Sequence, residues 1–171
     1  MDVVDARPIL APFVSFLCAG LVFAVGRSIF WRRFFTFLAA FIKMGLVFSM
    51  LPGTLRGVVY VYDFVEFTPG IGIAFRADAY GMFFALVSST LWLFTTIYAI
   101  GYMQGDRDRV RFFGFFALCV STTVGVAFAE NLLTFFLFYE TLTICTYPLV
   151  VHAETPEALR AGRIYLTYTL I

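Results

Sequence analysis

The feature that most constrains this chain is the length of its uncharged apolar runs. Pro8 to Gly26, Ala79 to Gly105 and Phe112 to Ala129 contain no charged residue. Two further stretches, Phe34 to Leu55 and Asn131 to Val151, are each interrupted by one ionisable residue, Lys43 and Glu140 respectively. A bilayer's hydrocarbon core is about 30 Å thick, and crossing it as a helix takes about 20 predominantly apolar residues. Five runs of that kind in 171 residues predict an all-α integral membrane fold. A sixth helix is expected to begin after Pro156 and Arg160, with Ile164 to Ile171 as its first turns, too short to span as given.

Composition excludes the soluble alternative. The chain is 61% hydrophobic and 13% charged, against about 25% charged residues in an ordinary soluble domain, which leaves too little polar surface to face water. The N-terminus is read as a retained first helix, because Asp2 and Asp5 precede the first apolar run where a cleaved targeting sequence carries Lys or Arg. The expected organisation is two transmembrane helices in 1–52, an external loop in 53–78, and the start of a larger transmembrane module in 79–171. The loop reads as β rather than helix: Val58 to Tyr62 is β-branched or aromatic, and Pro69-Gly70 marks a turn before Ile71 to Phe75. Two short strands alone are marginal in water, so this hairpin is expected to rest on helix ends or a partner.

Orientation follows from Lys and Arg in the short loops. The loops at 27–33, 103–111 and 152–163 hold Arg27, Arg32, Arg33, Arg107, Arg109, Arg111, Arg160 and Arg163. The other side holds Arg7, Arg56 and Arg76. The richer side is expected to be cytoplasmic, which puts the N-terminus outside and the chain in the cell's inner (plasma) membrane.

Glu140 is the outstanding residue, near the middle of the fifth run. A charged side chain at that depth costs roughly 2.5–3.5 kcal/mol on insertion scales, and acids inside membranes mark ion and proton pathways. A carboxyl there can hold a proton and hand it on. The bland alternative is a hydrogen-bonded structural acid tying helices together. Lys43, ten residues beyond Arg33 and so about 15 Å along its helix, is the second candidate relay. Its bland alternative is an ammonium in a polar gap or snorkelling to an interface. His152, at the end of the fifth helix about 18 Å from Glu140 by helical rise, is a third; an imidazole can take up and pass on a proton, although a plain surface histidine fits the position better. Thr141, Thr143, Thr146 and Tyr147 share the helix and can support bound water or simply pack. Pro148 removes a backbone donor near the helix end and can kink it.

Cys18, Cys119 and Cys145 fall in separate predicted helices without paired spacing and read as small buried hydrophobes. No nucleotide-binding glycine pattern, ligand cluster or nucleophile constellation is present. No cofactor, metal or nucleic-acid partner is therefore expected, and no catalytic chemistry in this chain itself.

Four segments resemble the antiporter-like subunits shared by respiratory complex I, membrane-bound hydrogenases and Mrp-type sodium/proton antiporters. They are Pro69-Gly70-Ile71 followed by Phe75-Arg76-Ala77-Asp78, then Ile97 to Met103, then Arg111-Phe112-Phe113, and most specifically Asn131 to Glu140. Tyr139 stands where many relatives have tryptophan. The resemblance implies that Glu140 takes part in proton translocation, that the chain works with other membrane subunits and the bilayer, and that protons, with or without Na+, are moved. It also implies later helices bearing relay lysines that this sequence lacks, so the chain is expected to be an N-terminal portion or to be completed by a second chain. The competing expectation is a structural subunit that scaffolds a membrane complex without transporting.

Overall fold

A computed structural model describes residues 2–25, 28–68, 71–103 and 108–170. Arg27, Arg107, Ile171 and the Pro69-Gly70 turn of the sequence reading lie outside the described residues. The elements run β1 (Asp2–Val4), α1 (Arg7–Val25), α2 (Ile29–Leu55), β2 (Val59–Thr68), β3 (Ile71–Ala77), α3 (Ala79–Tyr102), α4 (Arg109–Ala127), α5 (Leu132–Val150) and α6 (Pro156–Thr169). The five helices α1 to α5 are each long and apolar enough to cross a membrane.

Helices α1, α2, α3 and α4 pack in a closed ring, each against the next and α4 back against α1. Helix α5 lies outside this ring against α4, and α6 lies against α5. Each inward stripe repeats at helical spacing: Ala11, Ser15, Cys18 and Val22 on α1, or Met82, Ala85, Ser89, Trp92, Thr96 and Ala99 on α3. The outward faces carry exposed Phe, Leu and Ile, such as Phe13, Phe41, Phe83 and Phe94, which is the pattern lipid requires rather than water.

The expected hairpin is present and is the larger part of a three-stranded sheet. β2 and β3 pair antiparallel, from Tyr60 opposite Ala77 to Thr68 opposite Ile71. The third strand is the N-terminus itself: β1 pairs in parallel with β2, Asp2 opposite Val59 and Val4 opposite Val61. Asp5 then turns the chain into α1, its carboxylate receiving Arg7 Nε at 2.9 Å and Nη2 at 2.7 Å, and the same guanidinium lies over the Tyr60 ring at 4.6 Å. The Arg7 side chain holds the Asp5 carboxyl below its ordinary range. The sheet rests on the helix ends: Tyr60, Phe75 and Ala77 join Ala11, Met50, Met82 and Phe128 in one buried cluster.

Helix ends extend past the charges that bounded the apolar runs. Arg32 and Arg33 lie within α2 and Arg109 and Arg111 within α4: long cationic side chains such as Arg33 can leave their stems on apolar surface while the heads reach polar surroundings, and buried Arg32 sets its guanidinium over the Phe113 ring at 5.6 Å. Helix α6 starts earlier than its apolar residues suggest, at Pro156 with Thr155 as cap: Thr155 Oγ1 accepts from the Ala158 N–H at 3.2 Å. Arg160 and Arg163 therefore sit in its first turns rather than in a loop.

Candidate functional site

The start of α5 is built into β3. Asn131 caps the helix, its Oδ1 accepting from the Thr134 N–H at 2.8 Å, while its Nδ2 donates to the Gly72 carbonyl at 2.8 Å. Thr134 Oγ1 accepts from the Ala74 N–H at 3.0 Å, and the Glu130 N–H donates to the Ala74 carbonyl at 3.1 Å. Arg76 adds an ion pair to Glu130 at 3.4 Å. These bonds fix both the height and the rotation of α5, and with them the direction in which Glu140 points, nine residues beyond the cap.

Glu140 is half-buried. Among the described residues no hydrogen bond or ion pair reaches it. Its helix is the least enclosed of the five spans and α4 the most; only Thr134, Thr143 and Cys145 of α5 are buried. Of the hydroxyls near it, Thr141 Oγ1 donates to Leu137 O at 2.7 Å and Thr146 Oγ1 to Leu142 O at 2.8 Å. Both are thus committed as donors and keep acceptor capacity. Thr141 also lines an apolar groove of about 580 Å3 between α1, α5 and the sheet, walled by Phe13, Phe64, Ile73 and Phe138.

Lys43 is in a different place. It is fully buried inside the α1–α4 ring, its ammonium 4.1 Å from the centre of the Trp92 ring and without a hydrogen-bond partner. Helix α2 packs on α1 and α3, whereas α5 packs on α4, α6 and β3, and no ion pair joins Lys43 to Glu140 among the described residues. The two intramembrane charges are not brought together by these helices.

His152 sits just past the end of α5, at the end of the bundle away from the sheet. Its ring meets Phe112 edge to face at 5.6 Å, and its carbonyl accepts from Arg111 Nη2 at 2.9 Å. Arg111 also binds the Glu154 carboxylate and approaches Asp108 at 3.9 Å. This guanidinium ties the start of α4 to the α5–α6 turn and holds the Glu154 carboxyl below its ordinary range. The sequence reading counted Arg111 as a loop charge and as the first residue of the resembling Arg111-Phe112-Phe113 segment, and gave it no structural role. The signal for more was its place one residue ahead of the aromatic pair Phe112-Phe113, but its partners are remote in sequence.

Five lipid-compatible spans topped by one sheet define a multi-pass integral membrane protein. Comparison with known proteins places its likeness more closely, among the antiporter-like subunits. The family described as NADH-ubiquinone oxidoreductase (complex I), chain 5 N-terminus, matches residues 67–113, that is, the end of β2, β3, α3 and the first residues of α4. The chain is 30% identical over 83 residues to NAD(P)H-quinone oxidoreductase subunit 5 of the Paulinella chromatophora chromatophore, an alignment covering 48% of this chain and 12% of that protein. It is 27% identical over 143 residues to the putative antiporter subunit mnhA2 of Staphylococcus haemolyticus, covering 78% of this chain and 17% of that one. In fold it is similar to a chain of the archaeal membrane-bound sulfane sulfur reductase, with a TM-score of 0.80 at 18% identity, covering 95% of this chain and 33% of that chain. It is likewise similar to a chain of the Mrp complex from Dietzia sp., with a TM-score of 0.75 at 21% identity, covering 95% and 31%. The chain thus spans about a third or less of the length of each protein it matches here. The matched family segment ends in α4, ahead of Glu140.

Proposed function

We propose that this chain is part of a proton- or proton/cation-translocating membrane subunit in a complex I-like or Mrp-like assembly, with Glu140 as its protonatable relay. One observation carries the reading: Glu140 is the single acid within a spanning helix, and among the described residues it has no partner of its own, on the span most open to neighbours. An acid that ties these helices together is expected to be hydrogen-bonded within them; a half-buried acid kept for proton exchange is left reachable. The cation that pairs with it then comes from outside these helices, from other membrane subunits against the open face of α5. His152, 12 residues on and about 18 Å away by helical rise, stands where protons from the cytoplasm would enter. The likeness to a quinone oxidoreductase subunit and to an antiporter subunit supports the reading, as does the fold shared with two respiratory or Mrp complexes. In this reading the assembly sits in the cell's inner membrane with the sheet and the N-terminus outside, as the arginine count suggests.

The test is Glu140→Gln, which keeps shape and most hydrogen-bonding capacity while abolishing titration. Proton uptake by vesicles carrying the assembled complex, normalised to assembled complex, is expected to fall at least tenfold, with Glu140→Asp retaining part of it. Transport at the unmodified rate by Glu140→Gln makes Glu140 a structural acid and the chain a scaffold.

A further inference from the structure

The buried core of the α1–α4 ring is not continuous. One apolar cluster, at the sheet end, takes Ala11, Val47, Ala85 and Val124 from the four helices; the other, at the far end, takes Cys18, Ala40, Trp92 and Val120. On every helix the inward stripe passes from one cluster to the other through a polar residue: Ser15 on α1, Lys43 on α2, Ser89 on α3, and Ser121 with Thr122 on α4. A polar layer therefore crosses the ring between the two clusters, with Trp92 at its far edge.

The layer is not satisfied by its own members. Ser121 Oγ donates to the Pro12 carbonyl at 2.7 Å, and Thr122 bonds back to its own helix. The Ser15 and Ser89 hydroxyls and the Lys43 ammonium are buried without a hydrogen-bond partner, and so are Trp92 Nε1 one turn and the Thr96 hydroxyl two turns further along the α3 stripe. Trp92 offers its ring face to Lys43, which leaves the three N–H donors without acceptors. Helix α1 offers one titratable group facing the ammonium, Cys18; the inward faces of α3 and α4 at this height carry hydroxyls and Trp92 and no charge. Every other acid of the described chain apart from Glu140 lies outside the spans. Buried polar groups in native proteins are almost always paired, with protein or with ordered water. Ala39, Ala40 and Ala85 beside the layer are small, and a bound water needs two to four polar partners, which this layer supplies.

We propose that Ser15, Lys43 and Ser89 form a binding site for internal water at mid-height of the α1–α4 ring, in which water accepts from the Lys43 ammonium and bonds the hydroxyls. The site stands apart from the role of Glu140 and does not depend on it. It gives this chain a second place, away from α5, where a proton can reside on a side chain in contact with solvent.

The test uses hydroxyl radicals generated from water by X-ray pulses in the full assembly, with residue modification read by mass spectrometry. Trp92 is as buried as Met50 and Met82, which lie in the dry cluster. A watered layer makes Trp92 react at least fivefold faster than either methionine. Lys43→Met is expected to bring the Trp92 rate down to theirs, and the gentler Ser15→Ala/Ser89→Ala pair to lower it at least twofold should Lys43→Met not assemble. Glu140→Gln is expected to leave it unchanged. A Trp92 rate equal to that of Met82 in the unmodified protein overturns the proposal. So does a fast rate that none of these substitutions moves, or one that vanishes when gluconate replaces chloride, which would make the occupant an anion.

Discussion

Arg111 and Glu154 show how much one exposed ion pair can be asked to organise. Glu154 has φ +53°, in the left-handed region where a residue with a side chain is strained. Its N–H donates to Val151 O at 2.9 Å and its carboxylate binds Arg111. Glu154→Ala loses the ion pair and keeps the strain, whereas Glu154→Gly loses the pair and relieves the backbone. The glycine variant is therefore expected to melt above the alanine variant, by thermal unfolding of the purified assembly; the reverse order would mean the turn is held elsewhere. The pair also has a pH signature. A carboxyl held below its ordinary value of 4.5 contributes stability that is full above that value and is lost as pH falls through the lowered one. The gap in melting temperature between the unmodified protein and Arg111→Ala is thus expected to be constant from neutral pH down to about 4.5 and to close below it. A gap that persists in acid would assign the effect to the bond from Arg111 to the His152 carbonyl instead.

Between elements, the seams of the bundle are tight where glycine allows backbone approach. A Cβ on Gly81, in the first turn of α3, would fall 2.5 Å from the Ala127 carbonyl oxygen, with Phe128 Cδ1 at 3.3 Å. One on Gly125 of α4 would run into the Phe138 ring of α5, which is half-buried and can swing. Overpacking costs typically about 1–3 kcal/mol, so Gly81→Ala is placed at the upper end of that range and Gly125→Ala at the lower, read as loss of assembly in a denaturing-detergent titration. The opposite order would put the rigid seam between α4 and α5. The spans were legible in the sequence because lipid makes uncharged length itself the signal, and Glu140 because an acid in such a run is conspicuous. Strand β1 was not: three residues become a strand only through pairing with β2, more than fifty residues away. Nor was the polar layer, since Ser15 and Ser89 are unremarkable until the ring brings them level with Lys43. The start of α6 could have been read, from Thr155, Pro156 and Glu157, had its charges not suggested a loop. The Lys43–Glu140 distance was beyond reach, because rotation and neighbour order of spans leave no mark on hydropathy.

For the whole molecule, the sheet turns orientation into a single question. β1 pairs with β2, and the sheet packs on the starts of α1, α3 and α5 and the ends of α2 and α4, so the N-terminus and the strands share one side of the membrane whichever side that is. The opposite ends carry Arg32, Arg33, Arg109 and Arg111, with Arg160 and Arg163 in the first turns of α6. The sheet side has Arg7, Arg56 and Arg76, of which Arg7 is paired with Asp5 and Arg76 with Asp2 and Glu130. Orientation is set by Lys and Arg near helix ends rather than by net charge, so these pairings leave the count, and with it the proposal that the arginine-rich end faces the cytoplasm, unchanged. Thr68, exposed near the tip of β2, and Ser28, exposed just ahead of α2, report the two sides. In intact cells a membrane-impermeant thiol reagent is expected to label a chain carrying Thr68→Cys and to spare one carrying Ser28→Cys until the membrane is opened. The native cysteines lie in the spans, and the unmodified chain supplies the background. Labelling of Ser28→Cys with protection of Thr68→Cys would invert the protein, put His152 and the Arg111 cluster outside, and remove His152 as a point of proton entry from the cytoplasm while leaving the test of Glu140 untouched.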